Sequence, residues 1–183
     1  MRIALLLGDA ACVHADAAAA YAMLKPDAIA ATNCIGFDWP GRVDYWFTLH
    51  PKSIGVWPGM PGALRRRENA GLNRPQTWAH KSGLGIDRHT PDWGGSTGLL
   101  AVKGLRQLRF NRIVLAGVPM SPEQNHYYEG TGWSHATHYR KGWREHRDEI
   151  APFVRSMSGW TREIFGAPTA EWLTPDPTPA GPA

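Results

Sequence analysis

"PDWGGSTGLLAVKGLRQLRFNRIVLAGV", Pro91 to Val118, decides how the chain is read. It strings together a glycine-and-hydroxyl cluster, an amphipathic run, a basic turn and an apolar run that ends in Gly117 and Val118. Leu99, Val102, Leu105 and Leu108 recur at three-residue steps, which predicts a helix over 98–109 with one face buried. Residues 112–118, "RIVLAGV", are apolar almost throughout, as a strand covered on both faces should be.

The same grammar extends outward in both directions. "IALLLG" (3–8) predicts a first buried strand, and "ADAAAAYAMLK" a helix that Pro26 stops. "AIAATNC" (28–34) and "VDYWFTLHP" (43–51) read as two more strands, ending in Thr32-Asn33 and in Thr48-Leu49-His50. Residues 52–94 hold many glycines and prolines, a basic patch at Arg65-Arg66-Arg67 and a strand candidate around "QTWAHK". Beyond Val118 come a polar, aromatic loop over 119–137, a helix over about 138–151, a last strand "VRSMSG" and a short helix "WTREIFG". Strands alternating with helices imply an α/β fold: a single doubly wound, mostly parallel sheet of Rossmann-like type. It is expected to occupy 1–166, with a mobile lid at about 119–142 and a proline-rich tail over 167–183. Ligands of such sheets bind outside the carboxyl ends of the strands. Gly8-Asp9, Asn33, His50 and Val118-Pro119-Met120 are therefore expected to face one crevice.

Composition narrows the classes. The 183 residues are 43% hydrophobic and 20% charged, which suits one globular domain. No run of about 18 apolar residues marks a membrane span. The apolar run after Arg2 is broken at Gly8-Asp9, too early for a secretory h-region, so a buried strand is the reading there. Two cysteines, Cys12 and Cys34, form neither a disulfide framework nor a C-x-x-C ligand pair, and a reduced, cytoplasmic setting is expected. A net charge of +4 tolerates an anionic partner without requiring nucleic acid. Of the nine tryptophans, Trp39, Trp57, Trp93 and Trp133 fall in loop-like segments, where rings line ligand sites or fill gaps, and leave room for self-association.

Three clusters carry candidate chemistry. In the first, Gly94 and Gly95 permit a tight turn, Ser96 or Thr97 can cap the helix, and the amides through Gly98 can receive an anion. The pattern is neither G-x-x-x-x-G-K-[ST] nor G-x-G-x-x-G, so a capped helix start competes with a phosphate seat. In the second, at the strand ends, Asn33 can bond a base or ribose or close a turn, and His50 can contact phosphate or act as an acid or base. Asp9 can bind a ribose hydroxyl or cap a neighbouring segment. The third, "NHYYEGTGWSHATHYRKGW" (125–143), offers His135 and His138 as a general base or phosphate contact, and shows no metal-ligand pattern. The charges at Arg140, Lys141, Arg144 and Arg147 read as a solvated helix face. No G-x-S-x-G elbow or cysteine signature points to a nucleophile.

Read in order, "IALLLG", the strand ending in Asn33, "FTLHP", Ser96-Thr97-Gly98 before a helix, and "NRIVLAGVPM" form a recognisable series. It resembles the bacterial lipo-oligosaccharide sialyltransferases of glycosyltransferase family 42, and the related MptE-like proteins, over roughly 3–160. The resemblance implies a nucleotide-sugar donor, cytidine-based in the sialyltransferases, held by Gly8, Asn33, Ser96 and Thr97. It also implies a lid histidine as catalytic base, matched by His135 or His138, lid tyrosines on the phosphate, matched by Tyr127 and Tyr128, and no need for a metal. Two positions depart from the pattern: "GDAAC" replaces a Gly-x-Gly-Pro-Ser loop, and Val118-Pro119 stands where the family has Ile-Asp.

The expectation is a nucleotide-dependent transferase, a glycosyltransferase in the first instance. Its nucleotide contacts would come from Gly8, Asp9, Asn33, His50, Gly95, Ser96, Thr97, Gly98 and Tyr127. The alternatives are a module that binds or senses a nucleotide without turnover, and a pterin-type pyrophosphokinase-like enzyme. The last would require Mg²⁺ on carboxylates, for which only Asp9 and Asp92 stand near strand ends.

Overall fold

The protein is described from a computed structural model, which covers residues 1–51, 70–83, 85–123 and 135–174. Seven strands make one sheet: β1 (Ile3–Leu7), β2 (Ala28–Thr32), β3 (Tyr45–Thr48), β4 (Gln76–Ala79), β5 (Arg88–His89), β6 (Arg112–Ala116) and β7 (Val154–Ser156). The helices are α1 (Val13–Met23), α2 (Ile35–Asp38), α3 (Thr97–Gln107), α4 (Ala136–Glu145), α5 (Arg147–Ile150), α6 (Gly159–Phe165) and α7 (Ala170–Leu173). The strand order is β5-β4-β3-β2-β1-β6-β7, and every neighbouring pair is parallel. This is the α/β, Rossmann-like architecture expected, with the order reversing between β1 and β6.

Period-two alternation sorts the central strands between two cores. Leu5, Leu7, Ile29, Ala31, Val114 and Ala116 pack on one face with Val13, Ala17 and Ala20 of α1. Ala4, Leu6, Ala30, Ile113 and Leu115 pack on the other with Leu99, Val102 and Leu105 of α3. Each fully buried leucine contributes about 2 kcal/mol of transfer free energy, so the two cores hold the strand tips in fixed relation. Having α1 and α3 on opposite faces is what makes the sheet doubly wound.

A repeated device closes the amino edge of the sheet. The residue just before a strand accepts the first free amide of the neighbouring strand. Asp27 Oδ2 accepts from Ile3 N at 2.7 Å, Asp44 Oδ2 from Ile29 N at 2.9 Å and Asp87 Oδ2 from Thr77 N at 2.9 Å. Asn111 Oδ1 does the same for Arg2 N at 3.0 Å. Acidic side chains thus gather at the edge remote from the expected site.

Three elements were not anticipated: α2, the two-residue β5, and α7. The helix expected over 138–151 is two helices, parted at His146, whose ring stacks on Trp93 at 4.3 Å between centroids. The packed region also runs past 166. Trp172 of α7 lies between the guanidinium groups of Arg112 and Arg155, at 5.2 and 4.9 Å, and its carbonyl accepts from Arg112 Nε at 2.6 Å. No helix among the described residues is long and apolar enough to cross a membrane.

Candidate functional site

Asn33 is the hub of the carboxyl edge. It follows β2 directly and has φ +36°, a conformation that asparagine tolerates better than most residues. Its main chain is fixed on both sides: its amide donates to Phe47 O at 3.0 Å, and its carbonyl accepts from Trp46 Nε1 at 2.7 Å. Its side-chain oxygen accepts from two hydroxyls, Thr48 Oγ1 at 3.1 Å and Thr97 Oγ1 at 3.3 Å. Those two bonds set the amide plane and leave the Nδ2 group, a donor pair, without a partner among the described residues. Asn33 thus closes the turn, one of its two sequence readings, and presents a polar group.

The first turn of α3 meets this hub through Thr97. Ser96 occupies the N-cap position, but no side chain caps the helix. The Ser96 hydroxyl instead accepts from Trp143 Nε1 at 3.1 Å, and the Thr97 hydroxyl is turned to Asn33. The expected cap by Ser96 or Thr97 is therefore absent, since tertiary partners outcompete the local bond. Among the described residues, the amides of Thr97 and Gly98 have no acceptor, and both residues are buried. Gly94 has φ +72°, which glycine alone adopts at low cost. Gly95 lies against α4, where a Cβ at Gly142 would come within 3.0 Å of the Gly95 Cα.

His50 joins the cluster from β3. Its amide donates to Thr48 Oγ1 at 2.9 Å, so the hydroxyl that holds Asn33 also holds the His50 turn. Burial, and secondly the charge of His80, lower the affinity of His50 for a proton. His80, one residue beyond β4, was missed in the sequence. It stands after "QTWA" as His50 stands near the end of β3, and the strand-end rule applied to that segment would have found it. Its Nδ1 is buried and has no hydrogen-bond partner among the described residues.

The tips of β1 and β6 do not share this character. A Cβ on Gly8 would lie 2.2 Å from the Gly117 carbonyl oxygen, so the two loops are in direct backbone contact. Gly8 N donates to Ala116 O at 2.8 Å and Ala10 N to Gly117 O at 3.2 Å. Beneath them the largely buried Asp16 accepts from Gly117 N at 2.9 Å and from Ser158 Oγ at 2.5 Å. Cys12 Sγ lies 3.5 Å from the same Ser158 oxygen. Burial, opposed in part by the Ser158 hydrogen bond and aided to a lesser degree by the charge of Asp16, pushes its thiol up to about 11, so it stays protonated at neutral pH. Asp9 points to α2, accepting from Ile35 N at 2.8 Å and Cys34 N at 3.3 Å. It caps a helix.

The expected catalytic histidines lie at the start of α4. His135 precedes α4 and His138 lies in its first turn, and both are exposed. His138 meets the ring of Tyr139 edge-on at 5.4 Å. No described hydrogen bond ties either histidine to Asn33, Thr97 or His50. Tyr127, Tyr128, Trp57, Trp133 and the centre of the expected lid lie outside the described residues. Of the remaining loop tryptophans, Trp39 stacks on His14 at 5.3 Å, and Trp93, besides His146, takes Lys103 Nζ over its ring at 4.3 Å. Both fill intramolecular contacts. Among the described residues no three His, Cys, Asp or Glu side chains converge as metal ligands, and Asp92 accepts from Gly94 N at 3.0 Å.

A groove of about 320 Å³ opens at the amino edge beside Tyr21, Lys25, Asp27, Arg42 and Asp44. Its carboxylates already cap Ile3 and Ile29, and Arg42 Nε pairs with Asp44 at 2.6 Å. That leaves it little convergent polarity for a ligand. The carboxyl edge, by contrast, carries donors: the Asn33 amide and two first-turn amides, with the segments of His50 and His80 alongside. Such a set suits a ligand with oxygen acceptors and negative charge. Comparison with protein-family models, with curated proteins and with solved structures found no match to this chain. The functional reading is carried by the geometry of the site.

Proposed function

We propose that the chain binds a nucleotide or nucleotide sugar at the tips of β2, β3 and β4, and that it acts as a glycosyltransferase. Asn33 Nδ2 would donate to a ribose or pyrimidine oxygen, and the Thr97 and Gly98 amides would receive phosphate. The observation that carries this reading is the pairing of an asparagine oriented by two hydroxyls with the uncapped first-turn amides of two buried residues beside it. Backbone amides in buried segments are mostly bonded in native folds, so two without acceptors among the described residues support a ligand there. A phosphate there also gains from the positive end of the α3 dipole.

In the transfer step, a base at the start of α4, His138 or His135, takes the proton of the acceptor hydroxyl. The acceptor oxygen bonds to the anomeric carbon, and the bond from that carbon to the phosphate oxygen breaks. The electron pair leaves with the nucleotide phosphate, stabilised by the amides. General-base assistance of this kind contributes about 10²–10⁴-fold. The donor's base, the acceptor and a cytoplasmic site of action belong to the same proposal.

Binding without turnover is the second reading. It is favoured by the exposure of both histidines and by the absence of a described bond from either to the cluster. A pyrophosphokinase-like role ranks third, because Asp9 and Asp92 are engaged by backbone amides.

The test is a thermal-shift panel of cytidine, uridine, adenosine and guanosine nucleotides, since a ligand at about 100 times its Kd stabilises by about 2.7 kcal/mol. The proposal expects a rise in Tm with at least one, lost in Asn33→Ala. Hydrolysis of the matching nucleotide sugar, lost in His138→Ala or His135→Ala, supports the transferase. Binding without any turnover supports the module, and a flat panel overturns both.

A further inference from the structure

Two histidine-bearing segments leave the sheet side by side. β3 and β4 are in register at Thr48 and Ala79, so His50 and His80 follow that pair by two residues and by one. They sense each other, because a proton on His80 disfavours one on His50. His80 Nδ1 is shielded from water yet has no hydrogen-bond partner among the described residues, and native folds leave few such atoms.

The acids of the adjoining segments are engaged elsewhere. Asp9 is held by the amides of Cys34 and Ile35, Asp92 by Gly94 N, and Asp87 by Arg74 and Thr77. On β5, His89 Nε2 lies 3.1 Å from Ser82 Oγ, and Arg88 pairs in register with Trp78. Lys81 follows His80 directly. Among the described residues the surroundings are thus rich in donors and poor in available carboxylate. Asn33 Oδ1 links this flank to α3, since Thr48 bonds both Asn33 and the His50 amide while Thr97 approaches from the helix.

Resting on the nucleotide reading above, we propose that His50 and His80 form a two-imidazole clamp for a phosphate of the bound ligand. The two imidazoles would grip it from the β3–β4 side while the α3 amides face it from the other. A phosphate oxygen supplies the partner that His80 Nδ1 lacks. Its negative charge also turns the repulsion between two protonated imidazoles into shared attraction.

The test is calorimetric titration of the full chain, and of His80→Gln and His50→Gln, with cytidine and cytidine 5′-diphosphate, with the uridine pair, and with inorganic pyrophosphate. Circular dichroism and Tm certify each variant as folded. Should one variant not fold, the other gives the same reading. Wild type is expected to prefer diphosphate over nucleoside, and either variant to narrow that preference by roughly tenfold or more, the worth of a charged hydrogen bond, while nucleoside affinity stays unchanged. An unaltered preference, or equal losses for nucleoside and diphosphate, overturns the clamp and leaves the nucleotide reading standing. If wild type binds no nucleoside or nucleotide, that reading falls, and pyrophosphate decides the clamp alone. Binding weakened in both variants supports it; no binding, or binding indifferent to them, ends it.

Discussion

At the tips of β1 and β6 the backbone fills the space, because Gly8 and Gly117 touch directly and Asp16 and Ser158 pin them from below. At the tips of β2 and β3, a few residues away, the elements meet through side chains: two threonine hydroxyls on one asparagine, and the His50 amide on one of those hydroxyls. The strand order reverses at β1 and β6, where a doubly wound sheet ordinarily opens a ligand crevice. Here backbone meets backbone at that place, a seal between the β1 and β6 loops, and the polar groups named above lie to one side of it. Topology nominates an edge of the sheet, and side-chain chemistry chooses where along that edge a ligand sits.

Substitutions can break this contrast from either side. Gly8→Ala should have the largest effect on the fold, since its Cβ meets rigid backbone. Overpacking of that kind costs about 3 kcal/mol, which lowers Tm by roughly 6–12 °C in a domain of this size. A Tm within about 2 °C of wild type would show that the β1–β6 seal yields easily. Asp16→Ala strips the buried Gly117 amide of its acceptor and should cost about 2 kcal/mol in urea denaturation, with ligand affinity retained. Lost affinity at preserved stability would move the site toward the seal.

Asn33→Ala should behave in the opposite way. Its two threonine donors lose an acceptor, for about 1 kcal/mol of stability, while nucleotide affinity falls at least roughly tenfold. Equal affinity for variant and wild type would remove the hub.

The smallest effect is expected from His50→Gln on the pH dependence of stability. The folded state binds this proton more weakly than the unfolded chain, through burial and then His80, so acid draws the chain toward unfolding. The contribution is complete above the ordinary histidine value of 6.5 and declines as pH falls below it towards the lower folded value. The variant should therefore lose less stability than wild type on acidification, and a steeper acid limb would contradict the assignment.

Much of this was legible in the residues. Continuous apolar runs such as "IALLL" and "RIVLA" announced strands buried on both faces, and Pro26 marked the end of α1. The short elements were not legible. β5 is two exposed residues, Arg88 and His89, held by pairing with β4, and α2 is a single turn capped by Asp9 from a different loop. Both owe their form to tertiary bonds that local pattern does not encode. Asn33, Thr97 and His50 stood out because each ends a readable strand or starts a readable helix. His80 was overlooked because its strand is four residues long within a glycine- and proline-rich stretch. The capping role given to Ser96 failed for a similar reason, since Trp143, 47 residues away in sequence, claims its hydroxyl.

The most direct test of the account is a ¹⁵N–¹H correlation spectrum of the protein titrated with cytidine 5′-diphosphate and with whichever nucleotide gives the largest thermal shift. The account predicts that the amides of Asn33, His50, His80, Thr97 and Gly98 move together, while those of Gly8, Gly117 and Gly159 stay in place. Movement concentrated at Gly8 and Gly117 with Thr97 and Asn33 still, or a spectrum unchanged by any nucleotide, would contradict it.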